Sequence, residues 1–271
     1  QMCIRDSTNL GKEASTILNE VVSNRRSVLA GFTEVLGGKA DVIVANPYGI
    51  TCSGCGFINS DRVTLTTGAP NISLDGRLAG FSVTSGDVLI NGVGLNATAQ
   101  QLLDIVTRSL VVQGQINTAP EGTLGITTGL NQWNYDTRAV TGATTGTDAQ
   151  PTLAVDSSVL GGMYAGRIRL ISTEAGVGVR MLGDAAAKVD DFSISSAGQV
   201  DIRSNVSAER DLQVTSSSAT KALSLIDARL SARRDLSLEG TGAANLTGGA
   251  LVASRSLSVR VGLSLIHISE P

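Results

Sequence analysis

The sequence predicts an all-β protein and, within that class, a parallel β-helix. Three observations carry this expectation. A nine-residue pattern recurs towards the C-terminal end: Val206-Ser-Ala-Glu-Arg-Asp-Leu-Gln-Val214 returns as Leu230-Ser-Ala-Arg-Arg-Asp-Leu-Ser-Leu238 and again as Leu251-Val-Ala-Ser-Arg-Ser-Leu-Ser-Val259, at offsets of 24 and then 21 residues. Most of the chain consists of short β-branched runs with period-two alternation, punctuated by Gly, Asn and Asp. The composition agrees, with 31 glycines, 17% charged and only 3% aromatic residues. A repeat of this length is too short for a helix pair. Its alternation makes each unit a coil of strands that buries a face only by stacking on its neighbours. At about 4.8 Å per coil, roughly eleven coils give a rod on the order of 50 Å long.

The chain opens with residues 16–22, where Ile17, Leu18, Val21 and Val22 suit a helix on propensity alone. Residues 31–35 read as a strand stopped at Gly37-Gly38. The stretch 41–59, DVIVANPYGITCSGCGFIN, is the most distinctive. Val42-Ile43-Val44 suits one face of a sheet. Asn46-Pro47-Tyr48-Gly49 then reads as a β-turn: Asn can bond its own backbone, Pro presets φ, and Gly suits the fourth position. Cys52 and Cys55 come next, bracketing Ser53-Gly54.

This stretch resembles the secretion domain of filamentous-haemagglutinin-like exoproteins, the large partners of bacterial two-partner secretion systems. That family carries Asn-Pro-Asn-Gly-Ile or a close variant, often followed by a CxxC pair and Gly-Phe-Ile-Asn. Here these read NPYGI at 46–50, CSGC at 52–55 and GFIN at 56–59, with Tyr48 in place of the commoner Asn. TILNEV at 16–21, RVTLTTG at 62–68 and LGGMYAGRIRLISTEAGVGVR at 160–180 extend the resemblance. It implies a right-handed β-helix, an early strand at 16–22, and a secretion-motif turn made of Asn46, Pro47, Tyr48, Gly49 and Ile50. It also implies recognition in the periplasm of a Gram-negative bacterium by an outer-membrane β-barrel transporter, followed by release or display at the cell surface.

Strands are expected next at 62–67, 72–74, 78–83, 88–90, 110–116 and 124–128. Residues 97–110 fit helical spacing almost as well as a strand, so the expectation there is a short helical turn before Asp104 and a strand after it. Residues 132–151 are polar and rich in Gly and Thr, and read as a surface loop. Trp133 and Tyr135 within it suit a packing lid better than a binding site.

Composition limits the function. A net charge of −3 with four Phe, three Tyr and one Trp lacks the basic face and the stacking platforms of a nucleic-acid binder. No apolar run approaches the roughly 20 residues of a membrane span. MCIRDS at 2–7 and SLIHISEP at 264–271 resemble translated sequencing-adapter read-through and are set aside as artefacts. Cys3 and His267, the single histidine, go with them, and Asn9-Leu10 reads as the remnant of an upstream Asn-Pro-Asn-Leu motif.

The remaining cysteine pair admits three readings. A redox pair wants a thioredoxin-like βαβ setting, which is missing. A zinc site wants two further Cys or His ligands. A small structural disulfide between Cys52 and Cys55, formed in an oxidising compartment, is the reading adopted. Asp190, Asp191, Asp201 and Asp211 could suggest the carboxylates of a β-helical polysaccharide-active enzyme. Their place at turns and outward positions makes them solvated surface, with Arg210, Arg234 and Arg255 stacked near Asp211 and Asp235. LGG at 160–162 lacks the Lys of a phosphate loop.

The sequence therefore reads as a secretion domain over 8–183 followed by filament repeats over 184–263, in a non-enzymatic, secreted or surface-displayed exoprotein. The expectation includes no catalytic residue, no metal, no cofactor, no nucleic acid and no small-molecule substrate. The longer protein is expected to be an adhesin or haemagglutinin that engages a host or neighbouring cell. The alternatives are the stalk of a contact-dependent growth-inhibition toxin and, in another class, a β-helical polysaccharide-active enzyme.

Overall fold

The computed structural model describes residues 14–264. Cys3, the Asn9-Leu10 pair, His267 and nearly all of both terminal runs lie outside the described residues. Within them the chain winds as a parallel β-helix, and no helix is present. One face is a ladder of parallel strands: Thr16–Glu20, Asp41–Ala45, Arg62–Thr66, Leu102–Thr107, Thr123–Thr128, Arg167–Ser172, Phe192–Ser196, Leu212–Ser216, Asp235–Thr247 and Ser256–Ser264. Two further parallel faces complete each coil. Long strands turn the corner between those faces: Ile50–Ile58 pairs Ile50 with Val88 on one and Cys55 with Leu95 on the next, with a register shift between.

The sequence repeat is a spatial repeat. Val206, Leu230 and Leu251 stack in one ladder, and Leu212, Leu236 and Leu257 in another. Alternation then sends every second side chain inward. One coil contributes Phe192, Ile194, Val200, Ile202, Val206 and Ala208 to the interior, all buried. Each large apolar side chain so buried is worth roughly 1.5–3 kcal/mol before ordering entropy is subtracted.

A second layer covers the early coils. Ala139–Ala143, Asn131–Asn134, Leu78–Val83 and Ala69–Ile72 form an antiparallel sheet in that order. Its strands come from two excursions off the helix, joined through the pairing of Phe81 with Trp133. Phe81, Val83, Trp133 and Tyr135 pack on Ile43, Ala45 and Val106, which point outward from the ladder, and form a separate core. Phe81 stacks on Trp133 with ring centroids 6.1 Å apart, and Tyr135 meets both rings edge-on.

Four expectations are corrected. Residues 132–151 are not one loop: Asn131–Asn134 and Ala139–Ala143 are strands, and only the segment after them lacks regular structure. That segment is pinned where buried Arg108 bonds Asp148 and, through both Nε and Nη2, Glu174. No helical turn precedes Asp104; the Gln100 amide closes a tight turn on Ala97 O, and the strand starts at Leu102. The strand expected at 72–74 lies at Ala69–Ile72, because Ser73 to Gly76 form the hairpin turn. The run 110–116 breaks at a corner into Ser109–Val112 and Ile116–Thr118. Trp133 and Tyr135 are buried at 2% and 6% exposure, the packing lid that was expected.

Candidate functional site

The turn after Asp41–Ala45 is built from its first residue. Asn46 is fully buried. Its Oδ1 accepts the Tyr48 amide at 2.9 Å, and the Gly49 amide closes the turn on Asn46 O at 3.0 Å. Its Nδ2 donates back to the previous coil, to Arg25 O at 2.9 Å and Ser27 Oγ at 2.8 Å. The short carboxamide thus satisfies three partners that no apolar side chain could.

Gly49 has φ +102°, and a Cβ there would sit 2.6 Å from Arg26 Nη1 and 3.0 Å from Asp87 O. Both conformation and space require glycine. Ile50 is fully buried in the core, and Pro47 is half-buried. Tyr48 alone projects, 54% exposed. The other four motif residues therefore meet the protein itself.

Arg26 was missed by motif reading. Its guanidinium grips Asp87 with two bonds of 2.8 Å, donates to Ile50 O at 2.8 Å and through Nε to Thr51 Oγ1 at 2.6 Å. It ties the coil before the turn to the coil after it. The signal that could have found it is coil spacing, since Ser27 pairs directly with Ile50.

Cys52 and Cys55 form a disulfide with Cα atoms 5.2 Å apart. Both face the interior, at the corner where Ile50–Ile58 passes from one sheet face to the next. Gly54 between them has φ +71°. At the far end of the strand that leads into the turn, Tyr135 under the covering sheet donates its hydroxyl to Asp41 Oδ2 at 2.9 Å, and Arg62 lies 3.7 Å over its ring. Burial pushes the Tyr135 phenol well above its ordinary value.

The acidic residues read as surface are dispersed and ion-paired. Asp190 bonds Arg167 and Arg210, Asp201 bonds Arg203, and Asp211 bonds Arg234 Nε at 2.9 Å. Arg255 holds Asp235 in the same way. Each repeat arginine therefore grips a carboxylate of the preceding coil, with Arg210 on Asp190 and Asp191 rather than on Asp211. Among the described residues no cluster of three His, Cys, Asp or Glu is placed to hold a metal.

The comparisons with known proteins agree with this architecture. A family model described as the TPS secretion domain matches residues 7–202. The chain is 39% identical over 274 residues to a 16S rRNA endonuclease CdiA of Enterobacter cloacae subsp. cloacae, across 94% of this chain and 8% of that protein. It is 46% identical over 211 residues to a toxin CdiA of Yersinia pestis, across 76% of this chain and 6% of that protein. The chain thus spans less than a tenth of the length of these curated relatives. It superposes on the crystal structure of a filamentous hemagglutinin secretion domain with a TM-score of 0.66 and 31% identity, covering 94% of this chain and 77% of that one. The chain belongs to the TPS secretion domain family: it carries the secretion domain of a large exoprotein of a Gram-negative bacterium, recognised by an outer-membrane transporter and exported to the cell surface or beyond.

Proposed function

We propose that the motif turn serves export through the fold, as the fastening of the first coils on which the rest of the β-helix nucleates. The observation that carries this reading is the inward commitment of Asn46, Gly49 and Ile50, with Tyr48 left as the one projecting side chain. The early coils also have a second core that, among the described residues, the later coils lack. They are suited to form first and to template the later ones, since coils of a solenoid add one on another. In this proposal residues 8–183 are the secretion unit and 184–263 the first filament repeats, and this segment itself carries no catalysis.

For the longer protein the reading takes two forms: an adhesin acting on a host or neighbouring cell, and a contact-dependent growth-inhibition toxin with this segment at its stalk. The names of the relatives, toxin and nuclease, favour the toxin. A nuclease domain at the far C-terminus of the full gene product would decide for it.

The test of the turn is secretion through the cognate transporter. Gly49→Val, which forces a β-branched side chain against Arg26 and Asp87, should lose most secretion. Tyr48→Asn should secrete normally. Equal secretion of the two variants would remove the turn from the mechanism.

A further inference from the structure

Where the antiparallel sheet ends, Trp133 and Arg138 meet the outer face of Thr123–Thr128 and Arg167–Ser172 around a cavity of about 110 Å³. A glycine on the ladder leaves it open. A Cβ at Gly125 would come within 2.5 Å of Asp104 Oδ1 and 2.9 Å of Arg138 Nη2, so any side chain there would close the hole.

The lining is cationic beyond its own needs. Arg138 holds buried Asp104 through Nε and Nη2, at 2.7–3.1 Å, which leaves Nη1 without a protein partner among the described residues. Arg167 bonds Asp190, which Arg210 also engages. Arg169 is different. Its ladder neighbours are Gly125 and Ser193, and among the described residues its exposed guanidinium has no carboxylate. Three guanidinium groups thus face one buried carboxylate and one shared carboxylate.

A second observation is independent of charge. The indole Nε1 of Trp133, a residue of the cavity wall, is buried and has no acceptor among the described residues. A buried donor left unpaired costs about 1–3 kcal/mol, and native interiors seldom leave one without a partner to come.

We propose that this cavity binds one small oxyanion, a sulfate, phosphate or carboxylate group, either free or as the acidic substituent of a sugar. Planar guanidinium groups match such anions with paired charge-assisted hydrogen bonds. The volume fixes the size: it is well below the roughly 300–1,000 Å³ of a site that envelops a whole organic ligand. Only the acidic group enters, and a carrier stays outside along the exposed face of the helix.

Trp133 is the single tryptophan, so its emission reports on this site alone. The chain is titrated with sodium sulfate, sodium phosphate and sodium glucuronate, each against sodium chloride at matched ionic strength. The expected result is a saturable emission change with at least one oxyanion and none with chloride. Affinity should fall at least tenfold in Arg169→Ala, recover partly in Arg169→Lys, and stay unchanged in Arg255→Ala, which lies on a distant coil. Tighter binding of glucuronate than of the inorganic ions assigns the site to a sugar-borne acid; the reverse order assigns it to a free anion. No saturable change with any of the three, or the same titration in Arg169→Ala as in the parent chain, overturns the proposal. Arg169 is exposed and unpaired, so its removal leaves the fold intact, which thermal melts of the variants check.

Discussion

The Asn46 side chain donates to Ser27 Oγ at 2.8 Å, across the step from one coil to the one before it. With the bond to Arg25 O and the bond from the Tyr48 amide, one buried carboxamide fastens both the turn and the stack. Asn46→Ala should therefore destabilise the chain by about 2–4 kcal/mol, from lost hydrogen bonds and the backbone groups left unpaired. Ser27→Ala should cost about 1 kcal/mol. Urea unfolding midpoints measure both. An unchanged midpoint in Asn46→Ala together with lost secretion would instead make Asn46 a contact read by the transporter.

The Cys52–Cys55 link encloses only two residues, so the loop it closes in the unfolded chain is already small. Disulfide stabilisation grows with loop length, and here it should be modest. The Cys52→Ser, Cys55→Ser double variant should fold, with a melting temperature only a few degrees lower. Alkylation of the secreted, non-reduced protein should label neither cysteine. Two labelled thiols would mean that the pair is reduced in the exported form.

The ladder of repeat arginines predicts a pH dependence. A hydrogen bond from Arg234 holds the Asp211 carboxyl below its ordinary range, and one from Arg255 does the same for Asp235. The unfolded carboxyl titrates near 3.9, so the folded state binds fewer protons than the unfolded state. The stabilisation is complete above about pH 4 and is lost as pH falls through the lowered folded values. Both groups lie at the surface, where solvent screens the pairing. The Asp211→Asn, Asp235→Asn variant should melt slightly below the parent at pH 7. That gap should shrink in high salt and close under strongly acidic conditions. A gap that persists in acid would assign the effect to packing.

Leu236 is 1% exposed, inside the core, and paired with Leu212 and Leu257. Leu236→Pro removes a ladder donor from a central strand and fits badly there. If folding outside the cell draws the chain out, this change should slow export of everything after it. The early coils should still appear folded at the surface. Pulse-labelled cells treated with external protease report both. Full-length variant outside at the normal rate would remove support for export driven by folding.

The solenoid was legible because its repeat in sequence is its repeat in space: Val206, Leu230 and Leu251 align in both. The covering sheet was harder to read, for a physical reason. Leu102–Thr107 is buried on both faces, inward by the core and outward at Val106 by the second layer. Its apolar residues therefore do not alternate, and they imitate a helix. Asn131–Asn134 failed in the opposite sense, since Gln132 and Asn134 mask a strand whose anchor is Trp133. At the turn, the five motif residues were legible but Arg26 was not, because its partners Asp87, Ile50 and Thr51 lie on other coils.

The antiparallel sheet has a mechanical consequence. Its two excursions leave the ladder after Arg62–Thr66 and after Thr123–Thr128, on either side of Leu102–Thr107, and they zip together at Phe81 and Trp133. A plain solenoid transmits tension only from each coil to the next, so it peels one rung at a time. Here the brace spans the intermediate rung. Pulled from its C-terminal end, the chain would unravel stepwise through the repeats, and the braced block at the other end would give way last and all at once.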